Sequence, residues 1–130
     1  MQSLGHVVLK VRDLQRSEGF YSGTLGMRVI SRNSDPPMTF FTLETTENHH
    51  DFALMEVCPS ASSPKDPATG LAHVAFKVGS STDEFDLART LLEGSGCKIL
   101  YEAERGFSRS MHVLDPDGNE IELYVDVSDA

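Results

Sequence analysis

The sequence predicts an α+β fold of two tandem βαβββ modules, and three observations carry that prediction. Leu71 to Val78, LAHVAFKV, repeats Leu4 to Val11, LGHVVLKV, with five of eight positions identical and an offset of 67 residues. Both copies alternate apolar residues around a histidine, the period-2 pattern of a half-buried strand. After each copy come one helical stretch and three strand-like runs, in the same order. In a chain of 130 residues the repeat implies module one over 4–57, a linker over 58–70 and module two over 71–127, all within a single domain of 1–130.

In module one, Asp13 stands where a helix N-cap belongs, and Leu14, Ser17, Tyr21 and Leu25 recur at helical spacing until Gly23 and Gly26 end the helix. MRVISRN and MTFFTLET read as strands separated by Asp35, Pro36 and Pro37, a turn cluster that no helix or central strand tolerates. HDFALMEV closes the module. Residues 58–70, CPSASSPKDPATG, hold three prolines and three serines with no apolar period, as a linker does.

Module two follows LAHVAFKV with a helix opened by a Ser81/Glu84 capping box, carried by Phe85, Ala88, Leu91 and Leu92, and stopped at Gly94 and Gly96. CKILYEA, SRSMHVL and EIELYVDV supply its remaining strands. Asp115-Pro116-Asp117-Gly118 joins the last two as a hairpin, and alternation in the final strand puts Glu120, Glu122 and Tyr124 on one face and Ile121, Leu123 and Val125 on the other.

Twenty acidic against eleven basic side chains give a formal charge of -9, which repels phosphate backbones and anionic bilayers, so neither nucleic acid nor membrane is an expected partner. Cys58 and Cys97 stand apart, without the spacing of a zinc finger or a disulfide framework. The N-terminal MQSLGHVVLK lacks a signal peptide's basic and apolar segments, and no run reaches the length of a membrane span; the expectation is a cytoplasmic protein. Free edge strands in so small a chain lead to the expectation of a homodimer.

The repeat makes His6 and His73 equivalent. A lone strand histidine is ordinarily structural; two in register, which a pseudo-twofold arrangement would point into one concavity, are candidate metal ligands. Aligning the modules on their last strands sets Glu56 against Glu122 at an offset of 66. Two histidines with one glutamate suit Fe(II) and dioxygen, whereas two histidines with two glutamates suit Zn(II), Ni(II) or Co(II) as Lewis acid, with Mn(II) a further candidate. His49 reads as a solvated loop residue. Phe40, Phe41, Phe52 and Phe76 read as core or as the lining of a cup that would suit an aromatic small molecule.

The stretches LGHVVLKVRDLQRSEGFYSGTLGM, NHHDFALMEV, GLAHVAFKV and GFSRSMHVLDPDGNEIELY together resemble the vicinal oxygen chelate superfamily, which includes extradiol ring-cleaving dioxygenases, glyoxalase I and the bleomycin and fosfomycin resistance proteins. The resemblance covers nearly the whole chain and is nearest to short extradiol-like members. It implies curved four-stranded sheets around a divalent metal, with His6, His73 and Glu122 at the three shared ligand positions. His50, followed by Asp-Phe-Ala-Leu, matches the histidine that assists proton transfer beside a bound diol. His112 stands where the short members carry a tyrosine, three residues before the Asp-Pro-Asp-Gly turn, and is a second candidate acid/base; Arg105 stands where many carry another histidine. Glu56 falls at glyoxalase I's first glutamate ligand, but no cluster of Arg and Lys is on hand for the carboxylates of a glutathione adduct. The implied activity is Fe(II)-dependent cleavage of an aromatic vicinal diol, with a glyoxalase-type isomerase and a non-catalytic ligand-sequestering protein as the alternatives.

Overall fold

The computed structural model describes residues 1–65 and 67–127, and the chain divides into two compact units, Met1–Ser62 and Ser63–Ala130. The first unit runs β1 (Val7–Val11), α1 (Leu14–Glu18), a π-helical segment (Gly19–Thr24), β2 (Arg28–Ser34), β3 (Pro37–Thr42) and β4 (Phe52–Glu56). The second runs β5 (Val74–Gly79), α2 (Thr82–Gly94), β6 (Ile99–Glu104), β7 (Ser108–Leu114) and β8 (Glu120–Asp126). Each forms a mixed four-stranded sheet of the same order, β1-β4-β3-β2 and β5-β8-β7-β6, in which the first and last strands pair in parallel and the others antiparallel. The fold is α+β, a βαβββ unit used twice.

Several boundaries shift from those expected. Leu4–His6 and Leu71–His73 precede their strands, because β1 bonds only to β4 and β4 begins at Phe52; the first link is Val7 N–H to the Asp51 carbonyl at 3.2 Å. Pro37 opens β3 opposite Ser34, a first-residue position where a missing N–H is tolerated. At its other end β3 stops at Thr42, since the Leu43 N–H is taken by the Asp51 carboxylate at 2.8 Å. The first helix is α-helical for only five residues and then widens, with Leu25 N–H bonding the Phe20 carbonyl five residues back at 2.9 Å.

In both units the helix covers one face of its sheet, and that face is the core. Tyr21, Phe41 and Phe52 are fully buried in the first unit, with ring centroids 5.0 Å apart for Tyr21–Phe52 and 5.8 Å for Phe41–Phe52. Phe85 and Leu92 of α2 bury against Met111, Val113, Ile121, Leu123 and Val125 in the second. The expected capping box forms, with Ser81 Oγ accepting the Glu84 N–H at 3.2 Å and the Glu84 carboxylate accepting the Ser80 N–H at 3.1 Å. Leu91 is 61% exposed, beside the buried stripe that Phe85 and Leu92 define. No helix among the described residues is long and apolar enough to cross a membrane.

The β7–β8 hairpin positions the chemistry described next. Asp115 Oδ1 accepts the N–H groups of Asp117 at 2.9 Å and Asn119 at 2.8 Å, and its carbonyl accepts the Gly118 N–H at 3.0 Å. Gly118 has φ +88°, and a Cβ there would lie 3.3 Å from Ser63 Cβ, so both the turn and the incoming linker require glycine.

Candidate metal centre

Strand β8 alternates as expected: Ile121, Leu123 and Val125 are buried against the helix side, while Glu120, Glu122 and Tyr124 are half-buried on the other face. The turn at Asp115–Asn119 fixes the β7–β8 register so that His112 lies directly opposite Glu122. On the other flank β5 sets Ala75 beside Glu122, and His73, two residues earlier, shares that face. Three side chains distant in sequence therefore meet. Glu122 Oε1 lies 3.2 Å from His73 Nε2 and 3.3 Å from His112 Nε2, and the two imidazoles meet edge to face with centroids 5.3 Å apart. His73, His112 and Glu120 also offer donor atoms within 4.8 Å of one another.

His112 is only 4% exposed and its ring is held on both sides. Its Nδ1 lies 2.8 Å from Glu120 Oε2; a carboxylate can only accept, so this nitrogen carries the proton. Tyr101 of β6, directly across from His112, stacks on the imidazole at 4.3 Å and 16°. The Tyr101 hydroxyl sits 3.0 Å from the same Nδ1 and donates to Glu120 Oε2 at 3.4 Å. Loss of hydration, then the negative charge of Glu120 and its hydrogen bond, raise the Tyr101 phenol above its ordinary pKa, so it remains a donor. Neither Tyr101 nor Glu120 is among the site residues expected from the sequence; the alternation that sets Glu120 on the face of Glu122 is the signal that could have found it.

Donor chemistry and spacing fit a divalent ion. Around an ion with bonds of about 2.1 Å, neighbouring donors lie roughly 3.0 to 3.4 Å apart, the separations found between Glu122 and its two imidazoles. The hydrogen bond from His112 Nδ1 to a carboxylate is the outer support that metal-bound histidines characteristically have.

The remaining candidates belong to the first unit. His6 immediately precedes β1, with its ring centroid 4.4 Å from that of His50. His50 also contacts Phe40 edge-on at 5.1 Å, and its Nδ1 is 2.7 Å from that of His49, so one proton serves both nitrogens. Partial burial first, then the positive charges of His6 and His49, lower the His50 pKa, with Asp51 opposing. The loop carrying these histidines is organised by Asp51, which the sequence did not single out. Its carboxylate accepts from Leu43 N at 2.8 Å, Thr46 Oγ1 at 2.6 Å and Asn48 Nδ2 at 2.9 Å, while Asn48 also reaches the Gly5 carbonyl at 3.1 Å.

For Glu56 the strand registers correct the expected alignment. Val7 is in register with Phe52 and Val74 with Ile121, so the last strands match at an offset of 69 (121 - 52), not the 66 that equated Glu56 with Glu122. Glu122 then matches Ala53, and Glu56 matches Val125 on the helix-covered face. There the Glu56 carboxylate accepts the Leu14 N–H at 2.9 Å, at the start of α1. Its carboxylate is a helix cap.

Comparison with known proteins agrees with this architecture. The profile of the Glyoxalase/Bleomycin resistance protein/Dioxygenase superfamily matches residues 3–123. Biphenyl-2,3-diol 1,2-dioxygenase 3 of Rhodococcus globerulus is 35% identical over 95% of this chain, which spans 63% of that relative's length. Glutathione transferase FosA of Serratia marcescens is 32% identical over 96% of this chain and 82% of its own. The solved glyoxylase/bleomycin resistance protein/dioxygenase domain from Frankia sp. EAN1pec superposes with a TM-score of 0.81 over 98% of this chain and 99% of its own at 22% identity, a likeness of fold. With the profile spanning almost the full length and the βαβββ unit repeated, the chain belongs to the Glyoxalase/Bleomycin resistance protein/Dioxygenase superfamily.

Proposed function

We propose that this chain is a divalent-metal-dependent enzyme, most simply an Fe(II) dioxygenase, that opens the ring of an aromatic vicinal diol beside its hydroxyl-bearing carbons. The observation that carries the reading is Glu122 Oε1 standing at 3.2 Å and 3.3 Å from two imidazole Nε2 atoms on one sheet face. Likeness to a biphenyl-2,3-diol dioxygenase over 95% of the chain supports the substrate class. In this reading His73 and Glu122 are metal ligands, with His6 assigned as a third on the family resemblance. Bound there, the metal would draw the diol oxygens to itself and supply the site at which dioxygen reacts. His50, whose pKa is lowered, is neutral near pH 7 and can take up the proton that a hydroxyl gives away. Tyr101 and Glu120 hold the His112 ring beside the carboxylate.

The four-ligand isomerase arrangement needs the Glu56 carboxylate, which instead accepts the Leu14 N–H. Oxygen uptake tests the choice: protein loaded with Fe(II) without air should consume dioxygen on addition of a 3-arylcatechol and form a yellow ring-opened product. A metal-loaded protein that takes up no oxygen with any catechol, yet isomerises a hemithioacetal, would replace this reading with the isomerase one.

A further inference from the structure

We infer that His112 is itself a ligand to the metal through Nε2, with Glu120 as the positioning residue that fixes its tautomer. The inference rests on the metal-dependent reading above and extends its ligand set. The Nδ1–H of His112 is committed to Glu120 at 2.8 Å, and the Tyr101 hydroxyl donates to the same carboxylate, so Nε2 is the nitrogen turned toward Glu122. It stands 3.3 Å from Glu122 Oε1, the separation of neighbouring donors around one divalent ion. His73, His112 and Glu120 offer further donor atoms within 4.8 Å of one another. His73 Nε2, at 3.2 Å from Glu122 Oε1, completes a set of two imidazoles and one carboxylate within β5, β7 and β8 and their immediate flanks.

The sheet makes this set rigid. Cross-strand pairing fixes His112 and Glu122, stacking on Tyr101 sets the plane of the imidazole, and the Glu120 hydrogen bond sets which nitrogen is free. His112 would hold the ion beside His73 and Glu122 of the same unit.

Zn(II), as a diamagnetic probe, gives the test: competition titration for affinity, and long-range proton–nitrogen spectra of protein carrying 15N-labelled histidine. The expected result is a displaced His112 Nε2 resonance on Zn(II) binding, affinity about 100-fold weaker in His112→Phe, and about 10-fold weaker in Glu120→Gln. Phenylalanine keeps the stack on Tyr101, and thermal melting checks that each variant folds. If His73→Ala loses Zn(II) while His112→Phe binds like the wild type and the Nε2 resonance stays put, His112 is not a ligand and the metal-dependent reading survives. If the wild type itself binds no Zn(II), Co(II) or Fe(II), that reading fails and the inference goes with it.

Discussion

Asp51 shows how one side chain sets the geometry of others. Burial alone would raise its carboxyl pKa, but the hydrogen bonds from Thr46, Leu43, Asn48 and Thr42 outweigh it and leave the group below its ordinary 3.8. A depressed folded pKa contributes stability that is complete above the ordinary value and is lost as the pH falls through the folded one. Urea denaturation across about pH 5 to 2 should therefore show a loss of stability on acidification that is smaller in Asp51→Ala. At neutral pH that variant should be less stable by about 2 to 3 kcal/mol, the cost of removing a charged acceptor from several donors. Asp51 escaped notice in the sequence because its partners lie in the irregular run 42–48, where no periodicity announces which groups will converge. His73 and Glu122, by contrast, were legible, one through the repeat and the other through strict alternation in EIELYVDV.

At the scale of elements, strands and turns were read from pattern, but register was not. The helical segment between the first two strands is longer in the second unit, Gly79 to Ile99, than in the first, Val11 to Arg28, so the last strands match at a larger spacing than the one that pairs Glu56 with Glu122. Only the hydrogen-bonded registers reveal the 69-residue match. Tyr101 was hidden for a related reason: an irregularity between Ile99 and Tyr101 in the β6–β7 pairing shifts which residue stands across from His112, and a period-2 reading cannot place a bulge. Two substitutions test this assignment. Glu56→Ala should leave metal content unchanged and lower stability by about 0.5 to 1 kcal/mol, as loss of a helix cap does, in denaturant titration. Ser81→Ala should cost about 1 kcal/mol by uncapping the N-terminus of α2, again with no change in bound metal.

For the whole molecule, the repeat, the acidic charge and the family resemblance were all visible in the sequence, and the α+β fold of two βαβββ units follows from them. Strands β1 and β2 edge one sheet, β5 and β6 the other. Edge strands of this kind are the basis for expecting a homodimer, and light scattering at micromolar concentration should give twice the chain mass. A monomeric mass would remove that expectation without touching the metal site. The central claim is that His73 and Glu122 hold a divalent ion. Elemental analysis of wild type and His73→Ala, each reconstituted with excess Fe(II) under anaerobic conditions and freed of unbound metal, tests it most directly. The account predicts one ion per wild-type chain and almost none in a folded His73→Ala variant; equal metal content in the two proteins would contradict it.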